Sequence, residues 1–274
     1  MQAAHLPPPK KRFGQNFLVQ PGIVRRIVAA VAPRPEEALV EIGPGPGALT
    51  RALLEELAES PRPLLVIELD RDMLPGLRAL APESRLEVLP SDALEVNFGD
   101  LAHSAGRTLR IVGNLPYNIS TPLLFHLLDW REQIADMHFM LQKEVVDRIV
   151  ARPGTRSYGR LSVMIQAVCG TESLFPVAPG NFFPVPKVDS AFVRLKPHAI
   201  PLVPDLLKGD FARAVSMAFA QRRKTLANNF KGILNGDMLR ALEIDPQGRA
   251  ETLDVPDFLR IAEALKTPPQ GDRT

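Results

Sequence analysis

Short apolar runs alternate with helix-like patterns through the first two thirds of this 274-residue chain, and this alternation constrains its fold most. The strand-like runs are bounded by turn residues and occupy 38–42, 63–69, 85–89, 109–112 and 137–141. The segments between them with helical spacing of apolar residues are 48–58, 72–80, 121–130 and 143–151. Because short, continuously apolar runs are typical of buried parallel strands, the series predicts an α/β fold with a doubly wound, mostly parallel sheet.

Two more strands are predicted near the end of this series, at 172–177 and 190–195. Only the proline-rich stretch 179–186 separates them. Because so short an excursion cannot return the chain to a parallel position, we expect these two strands to be antiparallel.

The pattern becomes entirely helical after Pro197. The helices predicted there are 206–220, 237–242 and 256–265. We therefore expect a large α/β domain over residues 1–200, which begins with a basic segment at 1–35, and a small helical domain over 201–274.

Composition excludes several classes of protein. Hydrophobic residues make up 45% of the chain and charged residues 23%, as in soluble globular proteins. No apolar run approaches the roughly 20 residues of a membrane helix, and the N-terminus is basic where a signal peptide would be apolar. We therefore expect a cytoplasmic protein with no membrane partner. Cys169 is the only cysteine, and the five histidines lack metal-ligand spacing, so no metal is expected.

A glycine-rich turn follows the first predicted strand. Gly43, Gly45 and Gly47 alternate with prolines just before the first predicted helix. Such a turn lets the main chain approach a ligand closely, beside the positive end of a helix. The spacing lacks the third glycine of the dinucleotide fingerprint and so points away from NAD. The alternative is a tight strand-to-helix connection with no ligand.

Acidic residues follow the next two strands. Glu68 closes the second strand and is suited to accept the hydroxyls of a ribose, whereas Asp92 follows the third strand and could accept an exocyclic adenine amine. Either acid alone is more often a helix cap or a solvated loop residue. Together with Asn114 they lie at the carboxyl ends of adjacent predicted strands, which predicts one crevice for an adenosine-bearing ligand.

The tetrapeptide Asn114-Leu115-Pro116-Tyr117 follows the fourth predicted strand. It combines an amide, a rigid turn without a main-chain donor and an aromatic face, which together suit a planar amino group on a nucleobase. The alternative is a strand followed by an Asn/Pro turn with a packed tyrosine. The company of the glycine turn and the two acids favours base chemistry.

Basic residues are clustered although the formal net charge is only +2. The clusters lie in 1–35, 148–160 and 211–231, and none of these segments contains an acidic residue. Each cluster alone is typical of a solvated surface, but three around one candidate site favour a polyanionic partner. The residues that we expect to contact it are Lys10, Lys11, Arg12, Arg222, Arg223 and Lys224.

Ordered motifs over residues 10–265 resemble the small-subunit ribosomal RNA adenine dimethyltransferase family. They are KRFGQNFL at 11–18, the glycine turn, Glu68, Asp92, NLPY at 114–117, FFPVPKVDS at 182–190 and RRKTL at 222–226. The resemblance implies a class I methyltransferase fold and S-adenosylmethionine as cofactor. The residues implied to bind it are Asn16, Leu18, Gly43, Gly45, Gly47, Glu68, Asp92 and Asn114.

The resemblance also implies the reaction, which is dimethylation of the exocyclic amino groups of two adjacent adenosines in the 3′-terminal hairpin loop of 16S rRNA. The partner would be the 30S subunit, late in its biogenesis, and the helical domain would recognise the RNA. In this hypothesis the Asn114 side-chain oxygen and the Leu115 carbonyl accept the amine N–H groups. Pro116 constrains the turn, Tyr117 stacks on the base, and Phe182 covers its opposite face.

Two other functions remain open from the sequence. One is adenine methylation of large-subunit rRNA, as in the enzymes that confer macrolide resistance, which share the core motifs. The other is a mainly noncatalytic role in 30S assembly through the basic clusters. The matches at 182–190 and 222–226 favour the small-subunit enzyme.

Overall fold

The structure, a computed structural model, describes residues 8–10 and 13–266. They fall into two compact units, one within Met1–Val146 and Glu172–Pro197 and the other within Asp147–Thr171 and His198–Thr274. The division expected at residue 200 therefore misses 147–171, which groups with the C-terminal residues. The reason is burial, since Tyr158, Val163 and Ala167 belong to the same apolar core as Phe211 and Phe258.

The larger unit is built around a seven-stranded sheet of order β4-β3-β2-β5-β6-β9-β7. Its strands are β2 (Ala38–Ile42), β3 (Leu64–Ile67), β4 (Leu86–Leu89), β5 (Leu109–Asn114), β6 (Ile134–Gln142), β7 (Cys169–Val177) and β9 (Ser190–Pro197). The pairs from β4 through β6 are parallel, and β9 is antiparallel to β6. The predicted fold class and strands are confirmed. A small ribbon of β1 (Phe17–Leu18) and β8 (Phe182–Phe183) lies outside this sheet.

Helices connect the strands. They are α1 (Pro21–Val31), α2 (Ala48–Glu56), α3 (Leu74–Arg78), α4 (Phe98–Ala105), α5 (Ser120–Asp129) and α6 (Lys143–Ile149). The sequence predicted α2, α3, α5 and α6 but missed α1 and α4. Helix α1 starts with proline in its first turn and buries Val24, Ile27, Val28 and Val31, one face of a helix.

The register of the sheet brings the candidate residues to one edge. Ile42 at the end of β2 lies opposite Ile67 of β3 and opposite Gly113 of β5. A Cβ on Gly113 would lie 2.6 Å from the Ile42 carbonyl oxygen, so glycine is required where β5 approaches β2 just before Asn114. The residues that follow these strands therefore meet at the carboxyl edge, as in other open α/β sheets.

The smaller unit is helical. Its helices are α7 (Arg160–Gln166), α8 (Lys208–Ala218), α9 (Leu226–Asn229), α10 (Gly236–Ala241) and α11 (Val255–Lys266). The three helices predicted after Pro197 correspond to α8, α10 and α11. In the part of the chain that the structure describes, no helix has both the length and the apolar character needed to cross a membrane.

Candidate active site

A cavity of about 240 Å³ opens at the carboxyl edge of β2, β3, β4 and β5. The N-terminal segment 13–17 forms another part of its wall. The predicted site residues that line it are Asn16, Gly43, Gly45, Glu68, Asp92, Asn114, Leu115, Pro116 and Tyr117. Leu18, Gly47 and Phe182 are also predicted site residues, but these three do not line the cavity.

The glycine turn forms the floor beside β2. Gly43, Gly45 and Gly47 all have positive φ, at 68°, 54° and 81°. A Cβ on Gly45 would lie 3.1 Å from the Phe17 ring, so glycine lets this ring close against the turn. Gly47 has another role, because it caps α2 and a Cβ there would lie 2.6 Å from Leu80. Leu18 does not line the cavity either, because it is buried in the apolar core of this unit.

Glu68 is a buried carboxylate that the main chain orients. Its Oε2 accepts the Gly45 N–H at 3.0 Å and its Oε1 accepts the Asp70 N–H at 2.7 Å. Burial raises the pKa of Glu68, and these N–H groups oppose the rise. Because a carboxylate has about four acceptor positions, Glu68 keeps capacity for ligand hydroxyls. Its neighbour Leu69 is 45% exposed and lines the cavity with an apolar side chain.

Asp92 lies across the cavity after β4. One carboxylate oxygen accepts the Leu94 N–H at 2.9 Å, which fixes the side chain. This single bond leaves acceptor capacity for a ligand amine. Ser91 and Ala93 line the cavity on either side of it.

A second buried acid, Glu41, lies in β2 next to the glycine turn. Its Oε2 accepts the Thr50 hydroxyl at 2.7 Å, and burial raises its pKa to about 8. Since Glu41 does not line the cavity, its contact with α2 supports the turn from behind. Its place inside an apolar strand gives no sequence signal for this contact.

Asn114 ends β5 with its amide already oriented. The Nδ2 donates to the Asn16 main-chain oxygen at 2.7 Å. The Leu115 N–H donates to the Met140 oxygen at 3.2 Å, which fixes the turn against β6. Because the amide nitrogen is engaged with the N-terminal segment, the side-chain oxygen is the atom that can accept a hydrogen bond from a ligand.

Tyr117 lines the same cavity and is held through its hydroxyl. The Tyr117 Oη and the Ser190 Oγ are 2.8 Å apart. Ser190 is buried in β9 opposite Gln142 of β6, so its hydroxyl has a fixed position. Burial raises the pKa of Tyr117, which keeps the hydroxyl neutral near pH 7.

Comparison with known proteins identifies the family. The family model "Ribosomal RNA adenine dimethylase" matches residues 8–267. The chain belongs to the ribosomal RNA adenine dimethylase family.

Relatives within the family are similar over nearly all their length. The protein named "Ribosomal RNA small subunit methyltransferase A" in Acidithiobacillus ferrooxidans is 65% identical over 274 residues, all of both chains. The protein of the same name in Laribacter hongkongensis is 54% identical, over 93% of this chain and 95% of its own.

Two solved structures have a similar fold and moderate sequence identity. A dimethyladenosine transferase from Plasmodium falciparum has a TM-score of 0.76 and 26% identity, over 89% of this chain and 95% of its own. The 23S rRNA methyltransferase ErmE has a TM-score of 0.68 and 26% identity, over 92% of this chain and all of its own. The class I methyltransferase fold expected for the family is confirmed.

The structure corrects the role expected for Phe182. Its side chain is 2% exposed and lies in the apolar core, paired with Leu18 across the β1–β8 ribbon. Phe183 is 36% exposed and lies opposite Phe17, which lines the cavity. Because residues directly opposite in a ribbon share one face, Phe183 is on the same face as Phe17, although Phe183 itself does not line the cavity.

The basic residues predicted to contact RNA have different surroundings. Lys10 lies in ion pairs with Asp70 and Asp72, so its charge is engaged within the protein, and its contact with RNA stays a prediction. Lys11 and Arg12 lie outside the described residues. In the smaller unit, Arg222 contacts Glu251 and the Arg156 carbonyl. Its neighbours Arg223 and Lys224 are exposed.

No metal centre is apparent in residues 8–10 and 13–266, where no group of three or more ligating side chains occurs. The cavity residues that the sequence missed are mostly apolar or come from the N-terminal segment. They include Phe13, Gln15, Phe17, Ile42, Ile67, Leu69, Asn118 and Ile119. Leu69 carried a readable signal, an apolar residue placed directly after an acid at the end of a strand.

Proposed function

We propose that this chain uses S-adenosylmethionine to dimethylate the exocyclic amino groups of adenosines in small-subunit ribosomal RNA. The observation that carries the proposal is the amide of Asn114, which is oriented by its bond to Asn16 and lines the same cavity as Glu68 and Asp92. Membership of the ribosomal RNA adenine dimethylase family supports it.

The cofactor end of the cavity comprises Gly43, Gly45, Glu68 and Asp92. The site suits an adenosine, since Glu68 has free acceptor positions for ribose hydroxyls and Asp92 for an adenine amine. Leu69 supplies an apolar contact for a planar ring. When bound here, S-adenosylmethionine supplies a methyl group on a positively charged sulfur.

The amine end comprises residues 114–117. An adenine amino nitrogen is a poor nucleophile because its lone pair is delocalised into the ring. If the Asn114 oxygen and the Leu115 carbonyl each accept one N–H, the nitrogen is fixed and its lone pair is directed into the cavity. Pro116 has no N–H to compete for these acceptors. Positioning of this kind accounts for much of catalysis in displacement reactions.

Aromatic stacking would hold the base itself. Tyr117 stacks on one face of the adenine, and Phe183, which lies opposite Phe17 in its ribbon, covers the other. Stacking contributes roughly 1–3 kcal/mol per base, comparable with the few kcal/mol needed to turn a base out of its stack. The proton leaves to solvent after the nitrogen becomes cationic, so no strong base is required.

The RNA substrate is proposed from the family. Two adjacent adenosines in the 3′-terminal hairpin loop of 16S rRNA, presented on a 30S subunit late in biogenesis, are the targets. Arg223 and Lys224, which are exposed, are the residues of the smaller unit best suited to contact phosphates, together with Arg222. Lys11 and Arg12 remain predicted contacts on the sequence alone.

The experiment that tests this function uses the full chain, methyl-labelled S-adenosylmethionine and three acceptors. These are small subunits that lack the modification, naked 16S rRNA and naked 23S rRNA. We expect label only where small-subunit RNA is present, and mass spectrometry should find dimethyladenosine at two adjacent positions. Label in 23S rRNA alone would favour the macrolide-resistance reaction.

Binding without label would instead indicate a noncatalytic assembly role.

The contribution of the smaller unit is tested in the same assay with Arg223→Ala and Lys224→Ala together. Removing two phosphate contacts should reduce the salt dependence of RNA binding by a slope of about 2.

A further inference from the structure

Asp70 is a buried carboxylate that does not line the cavity. It is 1% exposed, in the turn after β3, two residues beyond Glu68. Its Oδ1 accepts from the Lys10 Nζ at 2.5 Å, and its Oδ2 accepts from the Gln15 Nε2 at 3.0 Å. The Asp72 N–H also donates to the Asp70 Oδ1, at 3.2 Å. A buried carboxylate is unfavourable unless it is paired, and the N-terminal segment supplies the two side-chain partners Lys10 and Gln15.

The main chain of the same residue contacts the cofactor end. The Asp70 N–H donates to the Glu68 Oε1 at 2.7 Å, which helps to orient the carboxylate that faces the cavity. Asp70 therefore contacts the N-terminal segment with its side chain and Glu68 with its main chain.

The N-terminal segment in turn supplies part of the site. Phe13, Asn16 and Phe17 line the cavity, and the Asn16 carbonyl accepts the Asn114 amide. A further bond inside the segment, from the Lys10 N–H to the Gln15 Oε1 at 2.7 Å, joins the two residues that contact Asp70. We call Lys10, Gln15 and Asp70 together the latch.

The charges in the latch are consistent with its geometry. Burial by itself would raise the pKa of Asp70, but the Lys10 ammonium and the Gln15 amide hold it below its usual value. The same contacts with Asp70 and Asp72 raise the pKa of Lys10. Both groups are therefore charged near pH 7.

We propose that Asp70 is a positioning residue that, through Lys10 and Gln15, holds residues 13–17 against the cavity and thereby couples the position of this segment to cofactor binding at Glu68. The proposal rests on the proposed function only in its choice of ligand. Loss of the latch should weaken cofactor binding and should also free Asn16, so that both ends of the site are affected by one residue outside it.

The test compares Asp70→Asn with the unmodified full chain. Calorimetry with S-adenosylhomocysteine should show an affinity about tenfold lower, because a charged hydrogen bond is lost. Hydrogen exchange at residues 13–17 should slow on adding ligand to the unmodified protein and should slow much less in the variant. A merely structural loss would lower the melting temperature without changing this ligand-dependent protection.

Asp72→Asn is the matched comparison. Asp72 also pairs with Lys10, but the Asp72 side chain is 70% exposed. Because exposed ion pairs contribute little, the affinity of Asp72→Asn for S-adenosylhomocysteine should change by less than about twofold. If Asp70→Asn does not fold, Lys10→Met combined with Gln15→Ala removes the same contacts from the other partner and should reproduce the loss.

The outcomes separate the two proposals. An unmodified protein that does not bind S-adenosylhomocysteine would overturn the proposed function. An unmodified protein that binds it, with equal affinity and equal protection in Asp70→Asn and in the double variant, would overturn the latch alone.

Discussion

The two ends of the cavity orient their side chains in different ways. At the cofactor end, main-chain N–H groups of nearby turns orient two carboxylates. At the amine end, residues far away along the chain orient an amide and a tyrosine ring. Glu68 is held by Gly45 and Asp70, and Asp92 by Leu94. Asn114 and Tyr117 are held by Asn16 and Ser190, 98 and 73 residues away along the chain.

Because of this difference, we expect changes at the two ends to affect cofactor affinity and turnover separately. The cofactor end presents charged acceptors in a pre-formed turn, so changes there should alter affinity for the cofactor. The amine end holds an amide and a ring whose orientation matters only when the base arrives. Changes there should alter turnover or RNA binding and leave cofactor affinity nearly unchanged.

The largest effect is expected at Asn114. Asn114→Ala removes the acceptor for the amine, and we expect turnover to fall by on the order of 100-fold, the loss typical of removing one preorganised polar group. Single-turnover methylation of small subunits measures it, and calorimetry should show cofactor affinity within a few-fold. Asn114→Asp keeps acceptor oxygens but loses the donor to Asn16, so its turnover should lie between that of the unmodified protein and that of Asn114→Ala. Near-normal turnover of Asn114→Ala would contradict the role of the amine end.

An intermediate effect is expected at Glu68. Glu68→Ala removes the acceptor for ribose hydroxyls and leaves two N–H groups without their partner, so the dissociation constant for S-adenosylhomocysteine should rise about 10- to 100-fold. Turnover at saturating cofactor should change much less. Glu95→Ala, an exposed acid of the same unit, should have no effect on either quantity. If Glu68→Ala lowers turnover and spares affinity, the two ends are not separable in this way.

The smallest effect is expected at the Tyr117–Ser190 contact. Ser190→Ala and Tyr117→Phe each remove one hydroxyl and leave the ring, so the KM for the RNA substrate should rise by about two- to tenfold, the value of one neutral hydrogen bond. Because both changes remove the same bond, the double variant should be no worse than either single variant. Additive losses would mean that the two hydroxyls act separately.

Much of the fold and of the cofactor end could be predicted because their signals are local. The strand from Ala38 to Ile42 is predicted with its observed limits. Glu68 and Asp92 follow β3 and β4, and Asn114 ends β5, three parallel strands of one sheet whose carboxyl ends lie at the same edge. Helix α1 has a local signal too, since Val24, Ile27, Val28 and Val31 have the spacing of one buried helix face, although the segment is also rich in basic residues.

The remaining features depend on contacts that a sequence pattern does not contain. The β1–β8 ribbon has two residues per strand, too few for any periodicity, and it decides which of Phe182 and Phe183 lies on the same face as Phe17. Lys10 has the charge expected of a phosphate contact, yet its partners are Asp70 and Asp72, which only the folded chain brings near.

The bond from Asn114 to position 16 uses a main-chain oxygen, which every amino acid carries. Substitution at position 16 therefore leaves that acceptor available. Insertion of one residue between Asn16 and Phe17 does not, because it shifts position 16 by about 3.3 Å relative to the Phe17–Phe183 pair. For this one contact, the spacing between position 16 and Phe17 is constrained independently of the side chain at position 16.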